Sequence, residues 1–285
     1  HGSQRVGRVT TTSGIIILMS SDPLSLVLSG YGAMVLVMLG LWAVQLRTRN
    51  ASIADVGFCF GLIAVVLWYV REASGETERK LLVILMVSLY AGRLGFFLLF
   101  HRVISKAEDA RYQDLRRSWG THERWRMFGY FQVQAAAVTA FSLPFLVVIQ
   151  NPRPPFGFGE LAGLLIWIGA VSAEAVSDWQ LSRFRARPWN RQRVCRDGFW
   201  YWSRHPNYFF EWLHWWAYVV MAVGAPGWPL TLIGPIGMGW ALITVSGIPL
   251  AERQALKTRG QDYRDYQETT NAFVPWKPKR PISQR

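Results

Sequence analysis

Seven apolar runs, each about 18 to 23 residues long, take up most of this 285-residue chain: 24–46, 53–70, 81–100, 130–149, 161–179, 207–225 and 228–250. As helices, such runs are long enough to cross a bilayer core of roughly 30 Å. The last two are separated only by Ala225-Pro226-Gly227, so counts of six to eight stay open. No stretch of useful length alternates apolar and polar residues with the period of two that a strand would show. The expected fold is therefore an all-α integral membrane protein, a bundle of about seven transmembrane helices.

Charge sets the expected orientation. The loops after runs one, three and five, together with the tail, hold 24 Lys and Arg, against 4 in the loops after runs two, four and six. Basic residues gather on the cytoplasmic side of short loops, so the N-terminus is expected outside and the C-terminus in the cytoplasm. The net charge of +13 is then mostly a topology signal. Nucleic acid is not an expected partner, because the basic residues lie in short loops between apolar runs. The three longest hydrophilic segments, 101–129, 180–206 and 251–285, fall on that same side and are expected to form a cap over the bundle. Within them, 107–119 and 252–268 have the charge mix of surface helices.

Some features set boundaries. His1-Gly2-Ser3 resembles the remainder of a purification tag, and residues 1–18 as a whole look vector-derived, with Met19 as the expected start of a single domain over 19–285. Cys59 lies in an apolar run and Cys195 in a basic loop, so no disulfide joins them in this reading.

The candidate site comes from polar residues at or inside the ends of apolar runs. Charge at membrane depth is expensive and is read as functional by default. Most of it lies between Glu174 and Glu211. Ser203-Arg204-His205-Pro206-Asn207-Tyr208 opens the sixth run, with Pro206 suited to the first helical position. A helix start of this kind favours phosphate, and Arg204 would add a bidentate donor. Asn207 and Glu211 are four apart on one helical face, and so are Glu174 and Asp178. Arg185 and Arg193 follow the second pair. Two acids followed by arginines suit a ligand with amide or hydroxyl donors at one end and phosphates nearby. The alternatives are an interfacial cap at Arg204 and His205, and an ion pair between the acids and the arginines. Glu211-x-x-His214 has the spacing used in di-iron bundles, but no second pair accompanies it, so no metal is expected; His214 reads instead as a residue hydrogen-bonded between helices. Tyr90 and Arg93 sit in the third run and Asp55 early in the second. A carboxyl and a phenol together can polarise a carbonyl, but Asp55 also reads as a helix-start cap or a partner for Arg93.

The runs GFWYWSRHPNYFFEWLHWWAYVV, AEDARYQDLRRSWG and AERQALKTRGQDYRDYQETTNAFVPW resemble the membrane steroid 5α-reductase family, most closely its bacterial branch, over about residues 45–276. The ending, with Glu252, Tyr263, Tyr266 and Pro275, is also similar to isoprenylcysteine carboxyl methyltransferases. The first resemblance implies an NADPH-dependent reductase of a C=C bond conjugated to a ketone, as in a 3-oxo-Δ4-steroid. It implies a substrate half over about 24–149 that opens to lipid, and a cofactor half over about 161–285 with a cytoplasmic cap. By the same resemblance, Tyr90 and Asp55 are the catalytic residues. Arg93, Arg102, Asp178, Arg185, Asn207 and Glu211 match the family's cofactor side, and Arg111, Glu174, Arg193, Arg204, His205, Tyr208 and Glu252, from the same helix ends and loops, complete the expected cofactor-binding set. The family has a Gln-Glu pair early in its second span where this chain offers only Asp55, and an Asn where it has Glu174. The expected partners are a steroid or other lipophilic enone and membrane lipid, with the protein working as a monomer in the bacterial inner membrane. The second resemblance implies an S-adenosylmethionine-dependent lipid or prenyl methyltransferase.

Overall fold

A computed structural model describes residues 22–279. The expected tag and the last six residues lie outside that range. Among the described residues every regular element is a helix. They are α1 (Pro23–Thr48), α2 (Ile53–Glu72), α3 (Thr77–Leu98), α4 (Ala110–Trp119), α5 (Glu123–Ile149), α6 (Phe158–Arg185), the short α7 (Phe199–Trp202), α8 (Pro206–Ala222), α9 (Ile233–Trp240), α10 (Ile248–Arg259) and α11 (Gln261–Thr269). Single π-turns extend α3 over Leu99–Val103 and α9 over Ala241–Val245.

Local chemistry sets these boundaries. The Asp22 carboxylate accepts from Ser25 N at 3.1 Å, and Pro23 fills the first helical position, where no amide hydrogen is needed. Pro206 does the same for α8. Gly260, at φ 53°, breaks the helix expected over 252–268 into α10 and α11, because a left-handed residue cannot continue a right-handed helix.

The passes alternate in direction, and their ends meet in two sets. At the basic end, Asn50 Nδ2 donates to the carbonyls of Arg102 (3.1 Å) and Lys106 (3.3 Å), and Trp42 Nε1 donates to Arg124 O at 3.3 Å. At the opposite end Arg79, wholly buried, pairs with Glu160 and donates to the carbonyls of Asn151 and Arg153. Arg153 in turn donates to Val223 O (2.8 Å) and Gly224 O (2.9 Å), which ties the starts of α3 and α6 to the end of α8. Among the described residues, six helical stretches are long and apolar enough to cross a membrane. The expected sixth run is α8, whose 17 residues rise about 25 Å, slightly short of a bilayer core.

The main apolar core fills the space between α1, α2, α3, α5 and α8. Against α8 lies α6, brought close by Gly159 and Gly163. A Cβ at Gly163 would stand 2.6 Å from Ala217 O, so only glycine permits this approach.

The expected single cap is in two parts. Segments 180–206 and 251–279 pack together around Val194, Ala255, Tyr263 and Tyr266. Segment 101–129 instead holds the ends of α1 and α2. Glu108 accepts from Ala51 N at 2.7 Å, and Arg116 bridges Glu108, Glu123 and Gln45. Among the described residues no hydrogen bond or ion pair joins 101–129 to the other two segments.

A candidate polar site between α3, α6 and α8

Although α3 does not pack closely on α6 or α8, long polar side chains bridge the gap. Tyr90 donates its hydroxyl proton to the Glu211 carboxylate. One turn further on, Arg93 Nη2 donates to Glu174 Oε1 at 2.5 Å, and its Nη1 lies 3.9 Å from Asp178 Oδ2. Asp178 also accepts from Asn207 Nδ2 at 3.0 Å. The spacings of four in α6 and α8 thus bring both pairs onto facing sides, as the sequence suggested. Two carboxylates, Glu174 and Asp178, share one guanidinium. Arg93 Nε, Glu174 Oε2 and Asn207 Oδ1 are buried and have no partner among the described residues. Buried polar atoms without a partner cost about 1–3 kcal/mol each, so a layer carrying three of them is suited to a polar ligand rather than to packing.

Two expected pairings are corrected. Asp55 supports neither Tyr90 nor Arg93; its carboxylate takes Arg111 Nη2 at 2.5 Å and the Tyr112 hydroxyl at 2.8 Å. It therefore ties α4 to α2, and the carboxylate beside Tyr90 belongs to Glu211. The acids of α6 pair with Arg93, not with the following Arg185 and Arg193. Arg185 is exposed and makes no hydrogen bond or ion pair among the described residues. Arg193 lines a surface hollow of about 480 Å³ with Asn190, Arg196, Asp197 and Asp262, and no residue of the polar layer reaches that hollow.

Arg204 is also not free to meet an anion. Its Nε donates to Glu252 Oε1 at 2.7 Å, its Nη1 to Gln267 O at 3.1 Å and to Thr270 O at 2.5 Å. Glu252 further accepts from Gln267 Nε2 at 2.7 Å and lies 3.3 Å from His205 Nε2. Burial pushes the His205 imidazole below its ordinary pKa, against the opposing pull of Glu252. This cluster latches α10 and α11 onto the start of α8. His205 stacks on Tyr208, whose ring centroid is 5.3 Å away. Arg102 is held 3.1 Å from Asp109 Oδ2.

Residues 41–270 match the family described as a protein of unknown function, DUF1295. The chain belongs to that family. No curated protein and no solved structure matches it. The DUF1295 region takes in every candidate residue from Asp55 to Glu252, together with the passes α2 to α9 that position them.

Sequence reasoning passed over part of the DUF1295 site. Tyr112, Tyr130 and Gln134 extend the Asp55 network, with Gln134 Nε2 donating to the Tyr130 hydroxyl at 3.1 Å. The i, i+4 spacing of Tyr130 and Gln134 was a legible signal. His214, expected to be hydrogen-bonded between helices, is wholly buried with both ring nitrogens unpartnered and its ring against Tyr90, centroids 4.1 Å apart.

Proposed function

We propose that this protein is an NADPH-dependent reductase of the Δ4 double bond of a 3-oxo-steroid or a similar lipophilic enone, a member of the steroid 5α-reductase kind. The observation that carries the reading is the Tyr90–Glu211 pair, set beside a layer of carboxylates and Asn207 with unpartnered acceptors. A nicotinamide carboxamide has two N–H donors, and Glu174 Oε2 and Asn207 Oδ1 are acceptors in need of them. Phosphates would fall to Arg102 and Arg185, both exposed at the basic end.

When bound, NADPH supplies a hydride for the β-carbon of the enone. The chain's own part is to receive the charge that then gathers on the ketone oxygen. Tyr90 turns its O–H from Glu211 to that oxygen, the role of an oxyanion donor. Glu211 holds the phenol in place until the carbonyl arrives. Arg93 fixes Glu174 and Asp178, and Asn207 fixes the outer edge of the layer. The bundle keeps bulk water from the reacting carbons.

The test is reduction of progesterone or testosterone by the protein in lipid with NADPH. Tyr90→Phe loses one hydroxyl, so it retains cofactor binding while turnover falls about 10²–10³-fold. Unchanged turnover would reduce the phenol to packing. No reduction of any enone by the wild type would sink the substrate assignment. In the same reading the protein is a monomer in the bacterial inner membrane, with its basic end in the cytoplasm. Labelling of cysteines placed at Lys106 and Gly227 on opposite sides of the membrane supports that orientation.

A second reading, an S-adenosylmethionine-dependent lipid or prenyl methyltransferase, gains from one observation. Arg204 is taken up by Glu252 and two carbonyls, so it leaves the set of arginines available to phosphate. Calorimetric titration with NADPH and with S-adenosylmethionine separates the two readings.

A further inference from the structure

The polar stripe of α8 does not stop at Glu211. Asn207, Glu211, His214 and Tyr218 follow at spacings of four, three and four, so they form one line along the helix. The last two lie behind Tyr90, on the side away from the basic end, and have no part in holding a cofactor. His214 is wholly buried, and neither ring nitrogen makes a hydrogen bond among the described residues; the Glu211 carbonyl, one turn back, stands by the ring without reaching hydrogen-bonding geometry. Tyr218 is wholly buried with its hydroxyl likewise unpartnered. Trp167 Nε1, from α6, faces that hydroxyl without reaching hydrogen-bonding geometry. The His214 ring packs on Tyr90 at 4.1 Å and edge-on to Tyr218 at 6.3 Å.

His214, Tyr218 and Trp167 thus offer four polar atoms without a hydrogen bond among the described residues. Phe or Leu at these places would fill the same space without the cost of unmade hydrogen bonds. Gaps between such groups are closed in proteins by internal water, which commonly makes about three hydrogen bonds.

We propose that His214 and Tyr218 form an internal, water-bridged proton chain that restores the proton of Tyr90. The inference rests on the enone-reductase reading. Reduction of an enone adds a hydride at the β-carbon and a proton at the α-carbon, and the C=C π pair is consumed. Tyr90 gives its O–H proton to the ketone oxygen as charge develops there. The enol so formed tautomerises through water, which takes the proton from oxygen and returns one to the α-carbon with no net change. Neutral His214 passes its N–H proton to the Tyr90 oxygen as its other ring nitrogen takes a proton from water along the line to Tyr218. One proton is taken up per turnover. His214 therefore acts through Tyr90 and touches no substrate.

The test has two arms. The first uses ¹⁵N-histidine-labelled protein in bilayers, the His214 signals being assigned by their loss in His214→Phe. Magnetisation transfer from water protons to the His214 nitrogens is expected, and Tyr218→Phe should weaken it several-fold. A dry His214 overturns the proposal whatever the activity. The second arm is kinetic. His214→Phe keeps the ring packing on Tyr90, so KM for enone and NADPH should stay within about twofold. Its kcat should fall at least about tenfold, with a larger solvent deuterium isotope effect. His214→Gln, which keeps a donor and an acceptor, should recover part of kcat and serves if the phenylalanine variant fails to fold. Wild-type kcat and isotope effect in both variants overturn the relay. If the wild type reduces no enone, the enone-reductase reading fails and the relay to Tyr90 falls with it; the water-transfer arm then shows only whether His214 and Tyr218 are wet.

Discussion

Removing the Arg93 guanidinium, as in Arg93→Met, leaves the methylene stem's bulk but strands the carboxylates of α6. Glu174 is 6 % exposed and accepts at 2.5 Å, whereas Asp178 is half in solvent at 3.9 Å. The cost should therefore fall almost wholly on Glu174. Breaking a buried pair from one side costs about 3–5 kcal/mol, because an uncompensated charge stays behind. Glu174→Gln alone removes a charged hydrogen bond, about 1.5–3 kcal/mol. If the two residues were independent, the double variant would lose about 4.5–8 kcal/mol. Because the second change neutralises the charge stranded by the first, the double variant is expected to lose only about 1–3 kcal/mol. Equilibrium unfolding in mixed micelles, followed by tryptophan fluorescence across the four proteins, measures the cycle. Additive losses would show that Arg93 does not hold Glu174 in the folded bundle, and the polar layer would lose its anchor.

Arg204→Ala should act on the fold, not on the cofactor: each charged bond lost is worth about 1.5–3 kcal/mol, and proteolysis within 261–279 should accelerate. Arg185→Ala, with no internal partner to lose, should leave stability unchanged and weaken NADPH binding by a similar amount, read by calorimetry. Because the folded protein holds His205 below its ordinary pKa, the unfolded chain binds the extra proton first on acidification. Stability is then complete above the unfolded value of about 6.5 and falls as pH drops below it, levelling off below the folded value. A His205→Asn variant should flatten that slope in thermal melts from pH 8 to 5. Gly163→Leu would press on Ala217 O and part α6 from α8, so it should abolish monodisperse protein on gel filtration, whereas Gly169→Leu, at an open position, should not.

The sequence made the passes legible because length and apolarity are local properties. Pro206 marked the start of α8, and spacings of four put Asn207 with Glu211 and Glu174 with Asp178. What it hid were partners across helices. Tyr90 and Arg93 lie three apart, so their shared face could be read, but not that this face meets α6 and α8 instead of Asp55. Arg204 at a helix start looked ready for phosphate; Glu252, 48 residues later, and the carbonyls of 267 and 270 already occupy it. Such pairings depend on which helices adjoin, and hydrophobic periodicity does not carry that information. The break at Gly260 depended on a left-handed φ that neighbouring helix-favouring residues masked.

The buried Arg79–Glu160 pair and the Arg153 bridges fasten the bundle at the end away from the basic loops. At the other, segment 101–129 is bonded to α1 and α2, while 180–206 and 251–279 are bonded to each other. Midway, the two halves also meet through the apolar core and through Arg93 with Glu174 and Asp178, so among the described residues it is the basic-end segments that lack a bond across the gap. A parting that began there would be widest where Arg102 and Arg185 stand. Tyr90 and Glu211, partway down, separate less, and Arg79 and Glu160 hardly at all. Under the proposed function, a dinucleotide would enter from the basic end while the Arg79–Glu160 end stays shut, so its exchange would open no path across the bilayer.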